Sequence, residues 1–218
     1  MRQADDLRLA ELLTARLCHE LAGPLAAIGN GVELIAEEGA EAAADAVALV
    51  ADSARRAATR LQFYRFLYGF GPSSALAGAP PHALAESLFD GTRIALGYAE
   101  GARAQPSSWQ KLACSMLVVG AEALARGGRL ALAAGPAGPE LEASGEAITL
   151  SAEAAAALGL GTPLEEITSR TVHAYFTGLL AQSLGCRIAI EAAAPGRLRL
   201  AAKAAEDQAA EATGSRST

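Results

Sequence analysis

Of the three histidines in this chain, His19 has the neighbours that suit chemistry. It stands in His19-Glu20-Leu21-Ala22-Gly23-Pro24-Leu25. A neutral imidazole is a nucleophile near pH 7, because its ordinary pKa is about 6.5. Glu20 is a candidate to accept the Nδ1–H and leave Nε2 free to attack. A carboxylate in that role fixes the tautomer and stabilises a developing cation. Phosphoryl transfer asks a protein mainly for alignment and charge neutralisation, so such a pair fits it. Pro24 has no N–H to give to the Glu20 carbonyl, which predicts a local bend and a free carbonyl beside the histidine. Taken alone, an exposed histidine is most often simply solvated. HELAG is not a zinc helix of the HExxH type, because position 23 is Gly. His82, after two prolines, and His173, on the flank of a helical stripe, have no comparable setting, and His173 reads as structural.

These residues need a helix to hold them. Residues 4–38 read as one long helix, with Leu17, Leu21, Leu25, Ile28, Val32 and Ile35 spaced 4, 4, 3, 4 and 3. On a helical wheel His19 falls nearly opposite that stripe, with Ala22, Gly23, Ala26 and Asn30 on its own outward side. Small residues there leave room for a bulky protein to lie flat and bring an acidic side chain to the imidazole. Gly39 marks a turn, and residues 41–68 read as a second helix. Its seam of Val47, Val50, Ala54, Ala57, Leu61, Tyr64 and Tyr68 has a coiled-coil rhythm. Arg55 and Arg56 lie off that seam and are candidates to meet acidic partner surfaces, with a solvated helix face as the plain alternative. One hairpin has no interior, so its apolar stripes predict a homodimeric four-helix bundle.

GFGPSSALAGAPP, residues 69–81, reads as a linker. Beyond it the pattern predicts helices near 82–89, 106–126, 151–157 and 163–184. Strands are expected near 92–98, 129–134, 140–150, 186–193 and 197–202. This is an α+β sandwich of helices on one sheet. The expected divisions are 1–70 for the hairpin, 71–81 for the linker, 82–203 for the second domain and 204–218 for a flexible tail.

Bulk properties narrow the function. The 218 residues are 51% hydrophobic and carry a net charge of −6, without the basic surplus of a nucleic-acid binder. Cys18, Cys114 and Cys186 are far apart and form no zinc spacing, which favours reduced thiols and no metal site. The N-terminus lacks an apolar signal core, and the longest near-apolar stretch, 112–121, is short of the roughly 20 residues that span a bilayer. A cytoplasmic protein without a membrane partner is expected.

His19 to Leu25 resembles the H-box of sensor histidine kinases, which runs His-Glu-x-x-x-Pro-Leu. QKLACSMLVVGAEALARGGRLAL resembles the helix, Gly turn and strand around the kinase N-box. AYFTGLLAQSLGCRIAIEAAAPGRLRLAA resembles the last helix and hairpin of the kinase ATP-binding domain, the Bergerat-type fold. Gly120 stands where the N-box has its magnesium-binding Asn. No DxGxG motif appears between 135 and 165, and no GxGxG loop precedes helix 163–184. The second domain thus looks like a degenerate kinase ATPase-like fold, with no ATP binding expected.

The combination is similar to the ChpT-type histidine phosphotransferases of alphaproteobacteria, over nearly the whole chain. RLCHELAGPLAAIGNGVELI and DSARRAATRLQFYRFLYG carry the resemblance best, and the ARGGR turn adds to it. It implies a homodimer and a phosphorelay. His19 would accept phosphate from the receiver domain of a hybrid histidine kinase and pass it to response regulator aspartates. Mg2+ would come from the partner receiver. Glu20 would assist at the imidazole. Ala22, Gly23, Pro24, Ala26, Asn30, Arg55 and Arg56 would face the partner, and the second domain would help dock it. Gly23 replaces the Thr or Asn with which many kinases position a water, so little phosphatase activity of that type is expected. An ATP-dependent kinase and a non-catalytic dimeric adaptor for receivers are the competing readings.

Overall fold

Strong helix formers dominate the first seventy residues, and two long helices result. The computed structural model describes residues 3–37, 40–69, 78–194 and 196–205. The turn expected at Gly39, most of the linker, Pro195 and the tail beyond 205 lie outside the described residues. Helix α1 (Gln3–Glu37) runs through Pro24 without a break in assignment, and α2 (Ala40–Tyr68) returns along it. The pair closes tightly at Gly31, where a Cβ would lie 2.5 Å from Val50 Cγ2. A larger residue there would wedge the two helices apart.

The expected stripes divide into two faces. Leu17, Leu21, Ile28 and Ile35 turn inward with Val50, Ala57, Tyr64 and Tyr68. Leu25, Val32, Val47 and Leu61 remain 49–56% exposed within the single chain. Their seven-residue spacings, 25 to 32 and 47 to 54 to 61, mark a second seam that the described residues do not cover.

The remaining elements are α3 (Pro81–Phe89), β1 (Ile94–Tyr98), α4 (Glu100–Arg103), α5 (Ser107–Ala123), β2 (Gly128–Gly135) and β3 (Gly138–Ser144). They continue with α6 (Ala152–Leu158), a single 3-10 turn at Leu164–Glu166, α7 (Val172–Ser183), β4 (Cys186–Ala194) and β5 (Arg197–Ala204). The sheet order is β1-β2-β3-β5-β4, with β1 and β2 parallel and the rest antiparallel. Period-two alternation turns Leu130, Leu132, Leu141 and Leu200 onto the helices. It puts Glu140, Glu191 and Arg199 on the other face, where they are ion-paired.

Several boundaries differ from expectation for local reasons. Helix α7 begins at Val172 and not at 163. Thr171 Oγ1 accepts the Thr168 N–H and Thr168 Oγ1 accepts the Arg170 N–H, local bonds that compete with helix. Helix α5 stops at Ala123 and not near 126, because the chain must turn at Gly127 (φ +87°), where a Cβ would strike the Arg93 carbonyl. Strand β3 ends at Ser144 and not at 150. Beyond it Thr149 N–H bonds the Ala123 carbonyl at the end of α5 and so leaves the ladder. The four-residue α4 was not expected.

The boundary expected at residue 70 does not separate two cores. Phe63, Phe66 and Leu67 of α2 are buried together with Leu112, Met116 and Leu117 of α5, and Leu9 to Leu17 of α1 pack on the same cluster. A fully buried His173 stitches three helices. Tyr68 O–H donates to Nδ1 (2.9 Å), so Nε2 carries the proton and donates to the Ser115 carbonyl (3.0 Å). Burial pushes this imidazole down to about 4, and it is neutral in the folded protein. The unfolded chain binds its proton near the ordinary value. The contribution of this group is therefore intact above about pH 6.5 and is lost as pH falls toward 4. The expected loss is about 3 kcal/mol. Urea midpoints between pH 7 and 4 should fall more steeply for the native chain than for His173→Gln.

Candidate functional site

Helix α1 leaves the second domain just at His19. Leu9, Leu12, Leu13 and Leu17 pack on the shared core, whereas the helix beyond them packs on α2. His19 is exposed at this exit, and so are Ala22, Gly23, Ala26 and Asn30; Pro24 is half-buried. The structure thus brings the expected partner-facing residues of α1 together on one accessible strip.

Glu20 is placed differently from expectation. Helical geometry turns it about 100° away from His19. Its carboxylate is held by two guanidiniums, Arg16 Nη2 on Oε1 (3.1 Å) and Arg60 Nη1 on Oε2 (3.0 Å). Among the described residues no hydrogen bond joins it to the imidazole. The carbonyl that Pro24 frees is real, and Arg60 Nη1 also donates to it (3.1 Å). One arginine of α2 therefore satisfies both the backbone vacancy left by the proline and the side chain next to the histidine.

The network continues into the second domain. Arg16 Nη2 also donates to Glu122 Oε1, at the end of α5. Burial raises the Glu122 carboxyl above its ordinary range, and the Arg16 charge opposes that rise. Tyr64, buried beneath, has its phenol pushed up chiefly by burial. A cleft of about 250 Å³ lies at this junction, lined among others by Arg16, Glu20, Arg60 and Glu122. Arg55 and Arg56 are exposed, both paired with Asp52, on the rim of a neighbouring cleft that reaches Asp90 and Thr92. Arg16, Arg60 and Glu122 were not legible as site residues. The one signal was Pro24, whose freed carbonyl required a donor from elsewhere.

The position that resembles the kinase N-box is filled by packing. Gly120 is buried on α5, and a Cβ there would lie 2.7 Å from Leu141 Cδ2 and 3.0 Å from Leu130 Cδ2. Among the described residues no group of three or more His, Cys, Asp or Glu is arranged to hold a metal ion. Cys18 is exposed; Cys114 and Cys186 are buried, and all three are free thiols. No described helix is long and apolar enough to cross a membrane.

The structure joins a histidine-bearing hairpin to an α+β domain in which leucines fill the space beside Gly120, and the comparisons give the class of such a chain as a histidine phosphotransferase. The family model for the histidine phosphotransferase C-terminal domain matches residues 80–196. Protein phosphotransferase ChpT of Brucella abortus (strain 2308) is 35% identical over 195 residues, 86% of this chain and 92% of that protein. A solved bacterial phosphotransferase is 32% identical with a TM-score of 0.73, covering 90% of this chain and 96% of that one. The chain belongs to the histidine phosphotransferase family.

Proposed function

We propose that this protein relays phosphoryl groups through His19, from the receiver domain of a hybrid histidine kinase to response regulator aspartates, as a cytoplasmic homodimer that uses no nucleotide. The observation that carries this reading is an exposed imidazole flanked by a strip of small residues at the point where α1 leaves the second domain. In the step, the unprotonated ring nitrogen attacks phosphorus of the receiver's aspartyl phosphate. The P–O bond to that aspartate breaks and its electron pair returns to the carboxylate. The phosphoimidazolium sheds its other ring proton to solvent. Mg2+ held by the receiver neutralises the phosphoryl oxygens. The second transfer reverses the order on another receiver. Glu20, held by Arg16 and Arg60, supports the helix at this point and does not act as a base in the resting state.

Mixing the protein with a phosphate-labelled receiver should move an acid-labile label onto it, and a second receiver should then remove that label. No transfer from any phosphorylated receiver of the source cell would sink the assignment. The dimer rests on the uncovered seam of Leu25, Val32, Val47 and Leu61. Light scattering at micromolar concentration should give twice the chain mass, and Val47→Glu with Leu61→Glu should give the monomer.

A further inference from the structure

Four charges alternate along one line between α2, α1 and α5: Arg60, Glu20, Arg16 and Glu122. The line crosses from the hairpin to the second domain within one turn of His19. Exposed ion pairs contribute little. This chain differs because Arg16 and Glu20 have side chains only 11% and 19% exposed, and each link shares a group with the next. A second tie lies further back on α1. Arg8 donates to the carbonyls of Leu164 (3.0 Å), Glu165 (2.8 Å) and Ile167 (3.3 Å). Arg8 and Arg16 are eight residues apart, about 12 Å along the helix. Two ties at that separation set the direction of α1, and the one at Arg16 is the last before the helix runs on against α2. Any tilt about it moves the strip of Ala22, Gly23, Ala26 and Asn30 relative to the second domain.

We propose that Glu122 is a positioning residue for transfer through His19: by holding Arg16, and through it Glu20, it aligns the histidine-bearing strip with the second domain, so that a receiver touching both presents its aspartyl phosphate in line. This rests on the phosphotransferase reading above. Glu122 touches neither the imidazole nor a reacting atom and acts through Arg16. The placement explains why the residue next to the histidine is drawn inward. Its carboxylate is the centre of the tie, and both its oxygens are in use.

The test compares two phosphodonors on Glu122→Ala and on the conservative Glu122→Gln. Phosphoramidate reaches His19 without docking, and a phosphorylated receiver must dock. Loss of alignment by about 1 Å should slow receiver-dependent transfer to Glu122→Ala by roughly tenfold or more, while phosphoramidate labelling stays within about twofold. Glu122→Gln, which keeps a polar partner for Arg16, should recover part of the receiver rate. In an Arg16→Gln background, adding Glu122→Gln should cause little further loss, because both act on one tie. Melting curves by circular dichroism establish that each variant is folded at the assay temperature. Receiver transfer at the native rate would overturn the proposal, and so would an equal loss with both donors. A native protein that phosphoramidate labels but no phosphorylated receiver does would overturn the relay reading and this inference together. A labelled native protein with an undiminished Glu122→Ala overturns only this one.

Discussion

His19→Ala should leave the protein folded and unable to carry any phosphoryl label. The side chain is exposed and makes no hydrogen bond among the described residues, so its loss should change stability by no more than about 0.5 kcal/mol. On the proposed relay His19 is the nucleophile, and neither other histidine is placed to replace it. His173 is fully buried between Tyr68 and Ser115, with both ring nitrogens engaged. His82 is partly buried and lies edge-on to Tyr98, in the second domain and away from the strip. Incubation with a phosphorylated receiver, followed by acid and alkali treatment of the product, should show an acid-labile label on the native chain and background counts on the variant. A label that survives in His19→Ala would place the chemistry elsewhere. His19→Gln keeps a polar side chain of similar reach and should be equally inert, which separates phosphoryl transfer from simple receiver binding. Normal signalling by that variant in cells would favour an adaptor.

Gly120→Asn should destabilise the protein strongly without conferring nucleotide binding. The substitution restores the residue type of the kinase N-box at its position. The space beside Gly120 is filled by Leu130 and Leu141, both fully buried. The new Cβ alone sits 2.7 Å from one of them, and overpacking of this kind costs about 1–3 kcal/mol. An amide without a partner in the same place adds roughly 1–3 kcal/mol. The sum, about 2–6 kcal/mol, is a large part of an ordinary domain's stability. Urea unfolding should show the loss, with Gly120→Ala intermediate. Calorimetry with Mg-ATP should give no binding heat for the native chain or for either variant. Clear affinity in the native chain would reopen the kinase reading. Stable folding of Gly120→Asn would show that the leucines yield more easily than their burial indicates.

Much of the candidate site's placement was legible because it is local. The H-box is seven consecutive residues, and the wheel needs only helical periodicity to turn His19, Ala22, Gly23, Ala26 and Asn30 outward. The freed carbonyl at Glu20 follows from the covalent structure of Pro24. What failed locally failed where a side chain competed with its own backbone. The two threonines at 168 and 171 held off a helix that the apolar spacing favoured. The turn at Gly127 ended another helix three residues early.

By itself, then, the sequence determined the hairpin, the alternation of helices and strands and the outward histidine. Each depends on neighbours within a few turns of chain. Only the tertiary structure decided how Glu20 is used. Its partner Arg60 is forty residues away, and Arg16 meets Glu122 across 106. Such pairs depend on where folding brings distant segments, and no periodicity encodes that. The same holds for Gly120: its residue type could be read as a lost metal ligand, but only the packing shows that leucines have closed the space. It holds too for the single core that joins α2 to α5, which makes the histidine's helix an extension of the second domain and gives Glu122 something to align.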